Sequence, residues 1–460
     1  MSDPKPGTPR VLLITYAFPP VAYVGVQRSL KYCRYLPDFG WEPVVLTARP
    51  SRVAHTDDAL LRQIPARVRV HRTLDMDPAK WLDALARRRS GSSVAVAGSL
   101  DAAGSHSIPR QVPHQGLVAR LKRLVILLLT GIPDSHVFWL PFAFLRGFWL
   151  LLVERVDVIY STSPPHSTHL VAVLLARCFR KNCVIDFRDP WDTRSAGEPP
   201  GRRPTWAGRM ESWMKRKVVQ GAAHIFTVSS GECEDLRREF GHIEATRFSV
   251  ITNGYDPADF AHELPIVTQP RRVTLTHAGT IYSGAAGRFF DALSELLREE
   301  PDLSRRLCVQ LVGDVADEYQ ELLSELRRSG VLEMHGLQSH KRALGMMLQS
   351  DALLILLGAA QFGPAEIPAK VFEYMHADKP IITVARPGEL VTMVERSGLG
   401  VPLAPDDINE TKRILRSLSH HAGQGIWQRS ADPAYVGQFE RRRLTERLAA
   451  VLNTVLGAPA

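Results

Sequence analysis

The sequence predicts an α/β protein built from two Rossmann-like, doubly wound domains in tandem. Short β-rich apolar runs alternate with stretches of helical period, which implies parallel sheets covered on both faces. The alternation runs through the chain twice, on either side of a turn-rich joint at about 253–271. The length, 460 residues, exceeds one ordinary domain, and a hydrophobic content of 45% lets each half bury its own core.

The first unit opens with the apolar run Val11–Thr15, broken by Phe18-Pro19-Pro20, with Gly25 in the following loop. Residues 27–36 set Leu30, Cys33 and Leu36 at helical spacing, Gly40 ends that helix, and Val44–Thr47 forms the next strand. Residues 84–117 are rich in Ser, Gly and Ala and read as a mobile surface insertion, followed by the basic stretch Arg120–Arg123. Leu124–Val153 is the most apolar region, but Pro133-Asp134-Ser135-His136 divides it and Pro141 and Arg146 interrupt its second half. A spanning helix needs about 20 uninterrupted apolar residues, so the region reads as buried helix or as a surface-seeking amphipathic element. The alternation resumes with strands Val156–Tyr160, Cys183–Asp186, Ile225–Val228 and Phe248–Ile251, with helices at about 168–179 and 207–221.

The second unit starts near Arg272, with strands Val273–Ala278, Cys308–Val312, Leu332–His335, Ala352–Leu357 and Pro380–Val384. The expected division is an N-terminal domain of residues 1–262, a C-terminal domain of 263–425, and a helical segment 426–460 crossing back to the first domain. Ligands of doubly wound sheets bind beyond the C-terminal strand ends, so two such domains facing each other would hold a ligand in a cleft.

Several classes are disfavoured. Five scattered cysteines without a C-x-x-C pair argue against a disulfide framework or a structural zinc site and point to a reducing, cytoplasmic setting. Residues 1–10 are polar, so no secretory signal is expected. No Gly-x-Gly-x-x-Gly follows the first strand and no P-loop occurs. Asp75-Met76-Asp77 is an Asp-x-Asp, but it lies beside the insertion rather than at a central strand end, so no metal site is expected. The net charge of +9 fits an anionic ligand such as a nucleotide diphosphate, or an acidic lipid surface, and equally fits solvated surplus arginine. No nucleic-acid partner and no cofactor are expected.

The most informative stretch runs from Gly363 to Met375. Pro368 suits the first position of a helix, which puts Lys370 in the first turn and Glu373 on the same face. Free N–H groups at a helix start, with the lysine charge, suit phosphate, and a glutamate suits the two hydroxyls of a ribose. An ordinary surface Lys–Glu pair has the same spacing.

The segment KVFEYMHADKPII resembles the nucleotide-binding helix of family 4 glycosyltransferases, which have the GT-B fold. The resemblance continues in TYAFPPVAYVGVQRSLKYCRYLPDFGWEPVVLT, STSPPHSTHL, DFRDPW, FTVSS, ITNGYDPADF, HAGTIYSG and LVGD, in the family's order. It implies that Glu373 holds the ribose. The family's preceding glutamate position is Ala365 here, which leaves Glu366 as the candidate for the donor-sugar contact. Gly25 would let the backbone approach the donor diphosphate, and Asn253 and Gly279 would line the substrate site; His166, after a Pro-Pro loop, is a candidate to touch the sugar, or an ordinary loop histidine. Arg288 is the candidate second cation for the diphosphate, or a solvated helix residue. Asp189 is a candidate for acceptor binding, or a helix cap, or the partner of a salt bridge with Arg188 or Arg194.

The implied activity is metal-independent transfer of a sugar from a nucleoside diphosphate sugar to an acceptor hydroxyl, with retention of configuration. A sugar or lipid-linked acceptor is expected, in cell-envelope polysaccharide or glycolipid synthesis. Peripheral contact with the inner face of the membrane goes with that expectation. Two alternatives stay open on the residues alone: an epimerase or hydrolase of the same fold, and an inactive sugar-nucleotide-binding module.

Overall fold

The computed structural model describes residues 7–22, 24–50, 56–75, 132–191, 205–261, 272–358, 362–421 and 427–457. The expected insertion at 84–117, the basic stretch 120–123, Asp77, and most of the apolar run before Ile132 lie outside the described residues.

Contacts divide the chain into two units. One comprises residues 1–228, 232–251 and 445–460, and the other 229–231 and 252–444. The first unit is a seven-stranded parallel sheet in the order β3-β2-β1-β4-β5-β6-β7. Its strands are β1 (Arg10–Ile14), β2 (Glu42–Ala48), β3 (Arg69–Thr73), β4 (Val158–Thr162), β5 (Asn182–Phe187), β6 (His224–Thr227) and β7 (Phe248–Val250). Four of the five residues of β1 and all of those in β4 are buried, so these strands are covered on both faces rather than on alternate residues. The C-terminal residues are tied into this unit: Trp41 Nε1 donates to Asn453 Oδ1 at 2.9 Å, and Asn182 Nδ2 to the Val455 carbonyl at 2.8 Å.

A buried ion pair organises the carboxyl end of this sheet. Arg28, on the helix Val24–Tyr35, donates from Nε and Nη2 to the two oxygens of Asp186, each at 2.8 Å, and Nη2 also reaches the Ile251 carbonyl at 2.8 Å. Tyr160 and Thr162 give further hydroxyls to Asp186. Both charges are therefore desolvated and fully hydrogen-bonded, the condition under which a buried pair is tolerated.

The second unit is a six-stranded parallel sheet in the order β10-β9-β8-β11-β12-β13. Its strands are β8 (Val273–Ala278), β9 (Leu307–Val312), β10 (Leu332–Gly336), β11 (Ala352–Leu357), β12 (Ile381–Ala385) and β13 (Gly400–Leu403). Successive β11 residues serve opposite layers: Leu354 and Leu356 pack with the helices Phe289–Glu299 and Ile408–His421, and Leu353 and Ile355 with His340–Gln349 and Lys370–His376. In both sheets the strand order reverses beside the first strand of the unit, between β1 and β4 and between β8 and β11. Those are the topological switch points at which such folds bind ligands.

Two sheet-edge strands, β3 and β13, have no counterpart in the sequence expectations. RVHRT is mostly polar and GVPL contains proline, and edge strands tolerate both because one side makes no ladder. Among the described residues no helix is long and apolar enough to cross a membrane.

Candidate functional site

The switch point of the second sheet carries an unusual cation. Lys370 Nζ lies 2.9 Å from His277 Nε2, and His277 Nδ1 lies 2.9 Å from the Leu354 carbonyl oxygen. A carbonyl can only accept, so Nδ1 carries the imidazole proton and Nε2 presents its lone pair to the lysine. Burial and the adjacent ammonium hold His277 well below the usual histidine range, which keeps it neutral. The three groups span β8, β11 and the helix that follows β11.

Lys370 is half-buried, and burial pulls its amine from 10.5 down to about 7. Among the described residues no carboxylate pairs with it, although a lysine held in the interior is normally paired. The amine thus has one neutral acceptor and spare donors, an arrangement that an anion can complete. Gly279 lies against it: a Cβ there would stand 3.1 Å from Nζ, and its φ of +120° disfavours any L side chain. Gly279 N–H donates to the Val312 carbonyl at 2.7 Å, which fixes this backbone beside the amine.

The helix itself differs from the sequence expectation. It begins at Lys370 rather than Pro368 and ends at His376. Two turns sum few peptide dipoles, so the lysine charge, not the helix dipole, dominates here. Lys370 and Tyr374 share the face toward β8, where Tyr374 Oη accepts from Ala278 N–H at 2.7 Å. Glu373 turns instead to the neighbouring helix His340–Gln349, and its Oε1 is 2.8 Å from His340 Nε2. Its carboxylate is half-buried and oriented.

The remaining candidates fall into different surroundings. Arg288 precedes the helix Phe289–Glu299, is 52% exposed, and pairs through Nε with Asp291 at 2.6 Å. Its guanidinium is held by this local carboxylate, one helical turn along. Glu366 is exposed in the turn closed by its own N–H and the Gly363 carbonyl, and Ala365 is half-buried. Asn253 is half-buried beside Gly254, where a Cβ would come within 2.2 Å of the Phe439 carbonyl oxygen.

In the first unit, the space at Gly25 is taken by an arginine. A Cβ there would stand 1.9 Å from Arg188 Nη1, so the glycine admits a guanidinium of its own chain to the start of the helix. His166 stacks on Trp191 with ring centroids 4.7 Å apart and planes 8° from parallel. Burial pushes it down to about 4, so it is neutral at physiological pH. Beneath it His169 is fully buried and shares a 2.8 Å hydrogen bond with Ser161. Asp189 is exposed after β5. The nearby Glu232 carboxyl is pushed up to about 8 by burial, with Asp189 and Asp186 adding to the effect.

The structure therefore joins Lys370 and Gly279 in one place and sets Glu373 on the same helix, while Arg288 is engaged elsewhere. His277, His340, Trp191 and Arg188 were not singled out from the sequence. His277 alone carried a usable signal, as an ionisable residue near the end of a central strand.

Residues 84–254 match the family model described as a glycosyl transferase 4-like domain. That match takes in the stretch 84–117 that the sequence reading set apart as an insertion. No curated protein sequence matches the chain. Among solved structures, HepE from Anabaena, in complex with UDP and glucose, aligns at a TM-score of 0.57 and 14% identity, covering 97% of this chain and 99% of that one. The N-terminal domain of trehalose-6-phosphate phosphatase from Candida albicans aligns at 0.61 and 11% identity, covering 97% and 96%. WaaG, a glycosyltransferase involved in lipopolysaccharide biosynthesis, aligns at 0.52 and 12% identity, covering 97% and 100%. At such identities the likeness is one of fold.

Proposed function

From a chain that carries a glycosyl transferase 4-like domain and shares the GT-B fold, we propose a sugar transferase that draws on a nucleoside diphosphate sugar and binds its diphosphate at Lys370. The observation that carries this reading is the half-buried lysine amine at the β8–β11 switch point, hydrogen-bonded to neutral His277 and, among the described residues, without a carboxylate. Charge develops on the leaving diphosphate as the glycosidic bond breaks, and a fixed cation in a dry site stabilises it without reorganisation. Glu373, oriented by His340, serves as acceptor for the ribose hydroxyls. UDP is the favoured nucleotide, on the strength of the UDP and UDP-glucose complexes of the HepE neighbour.

The reaction runs with retention of configuration and without a divalent ion, the lysine taking the ion's part at the phosphates. Its acceptor is a hydroxyl of an envelope polysaccharide or glycolipid. The test is a thermal-shift panel of UDP, GDP, ADP and TDP sugars, followed by incubation of the stabilising donor, radiolabelled in its sugar, with a cell-envelope lipid extract. Labelled lipid formed equally in the presence of a chelator, with the anomeric configuration of the donor, supports the proposal. Free sugar alone, or binding without turnover, contradicts it.

A further inference from the structure

We infer that the outward face of the helix Leu140–Val153 is a docking surface for a bilayer carrying anionic headgroups. The helix is apolar on both sides. Ala143, Gly147 and Leu150 are buried, and a Cβ at Gly147 would meet Leu175 Cδ1 at 2.5 Å, so this side is closely packed. Leu145, Phe148, Trp149 and Leu152 recur at helical spacing on the opposite side and face solvent, Leu145 at 67% and Leu152 at 64% exposure. Such a stripe ordinarily marks a buried face, and a contiguous exposed one marks an interaction surface.

The chemistry beside the stripe specifies the occupant. Arg49, Arg72 and Arg146 converge on one cavity of about 380 Å³ that Leu145 and Trp149 also line, and no acidic residue lines it. The Arg146 guanidinium lies over the Trp149 ring, 4.3 Å from its centroid. Arg72 Nη1 is buried without a hydrogen-bond partner, and burial lowers the pKa of that guanidinium. Three clustered cations next to leucine and tryptophan, with no acid among them, match a surface that offers anionic phosphate at one level and acyl chain just below it. A protein partner would need acids set against an apolar ridge at that same step. A helix of 14 residues is about 21 Å long, short of the roughly 30 Å hydrocarbon core, so it lies along the interface rather than through it.

The experiment is co-sedimentation of the full chain with phosphatidylcholine vesicles, with and without phosphatidylglycerol, in the absence of donor and acceptor. Its outcome is therefore independent of the transferase reading. The wild type is expected to pellet with the anionic vesicles only, and less so as salt rises. The double variant Leu145→Ser/Leu152→Ser should bind about tenfold or more weakly, and Arg49→Glu should weaken binding while leaving the apolar stripe intact. Both leucines and Arg49 are exposed, so the melting temperature should not change. Wild-type protein remaining in the supernatant with anionic vesicles overturns the inference, as does a double variant that pellets like the wild type. A mass of two chains in solution, lost in the double variant and unaccompanied by vesicle binding, assigns the face to a second copy and overturns it equally.

Discussion

If Lys370 is the diphosphate cation, donor affinity depends on pH in a direction set by its burial. Lowering the amine from 10.5 to about 7 disfavours the ammonium by about 5 kcal/mol in the unliganded protein. A bound diphosphate supplies the missing counter-charge and draws the proton back. Below pH 7 the amine is already protonated and the dissociation constant is level. Above pH 7 each binding event must take up a proton, so the dissociation constant rises toward a limit of about tenfold per pH unit. The sign is that of a base whose unliganded pKa is depressed: affinity is full on the acid side and lost as pH rises. Calorimetry with UDP-glucose from pH 6 to pH 9 measures this, since the two phosphates of a sugar nucleotide stay ionised throughout. The neighbouring titratable pair, Glu373 with His340 of the adjacent helix, is separated from the effect by repeating the series in Lys370→Met, which should give a nearly flat profile at weaker affinity. A wild-type dissociation constant that does not change across the range, or that falls with pH, refutes the reasoning.

Other perturbations follow from the same geometry. His277→Leu removes the acceptor at 2.9 Å and should weaken UDP-glucose binding by roughly 1 kcal/mol, about fivefold in calorimetry, with His277→Gln recovering part of the loss; binding unchanged in both would deny His277 a positioning role. Glu373→Ala should lower affinity for UDP-glucose by about tenfold or more while leaving inorganic pyrophosphate binding close to the wild type; equal donor binding would remove the ribose assignment. Arg28→Met leaves Asp186 charged and buried, and should destabilise the first unit by about 3–5 kcal/mol, read as a lower urea midpoint; an unchanged midpoint would show that the pair does not hold that sheet end.

The legible part of this protein was its periodicity. Both sheets could be read from apolar runs such as Val11–Thr15 and Ala352–Leu357, because a strand buried on both faces needs no polar alternation. The edge strands Arg69–Thr73 and Gly400–Leu403 could not, since a polar or proline-bearing edge has the composition of a loop. Lys370 and Glu373 were found by helical spacing and by resemblance, and their surroundings were hidden. The partner of Lys370 is 93 residues away in sequence, and that of Glu373 is 33 away. No local pattern encodes such pairings. The same limit applies to Gly25: no local pattern shows that Arg188, far along the chain, fills the space a side chain would take there.

The most direct test is the affinity of Lys370→Met for UDP-glucose at pH 6.5, measured by calorimetry beside the wild type. Loss of a charge-assisted hydrogen bond to phosphate should weaken binding by about 1.5–3 kcal/mol, or roughly 10- to 150-fold. A folded variant that binds UDP-glucose as tightly as the wild type would place the diphosphate elsewhere and contradict the account.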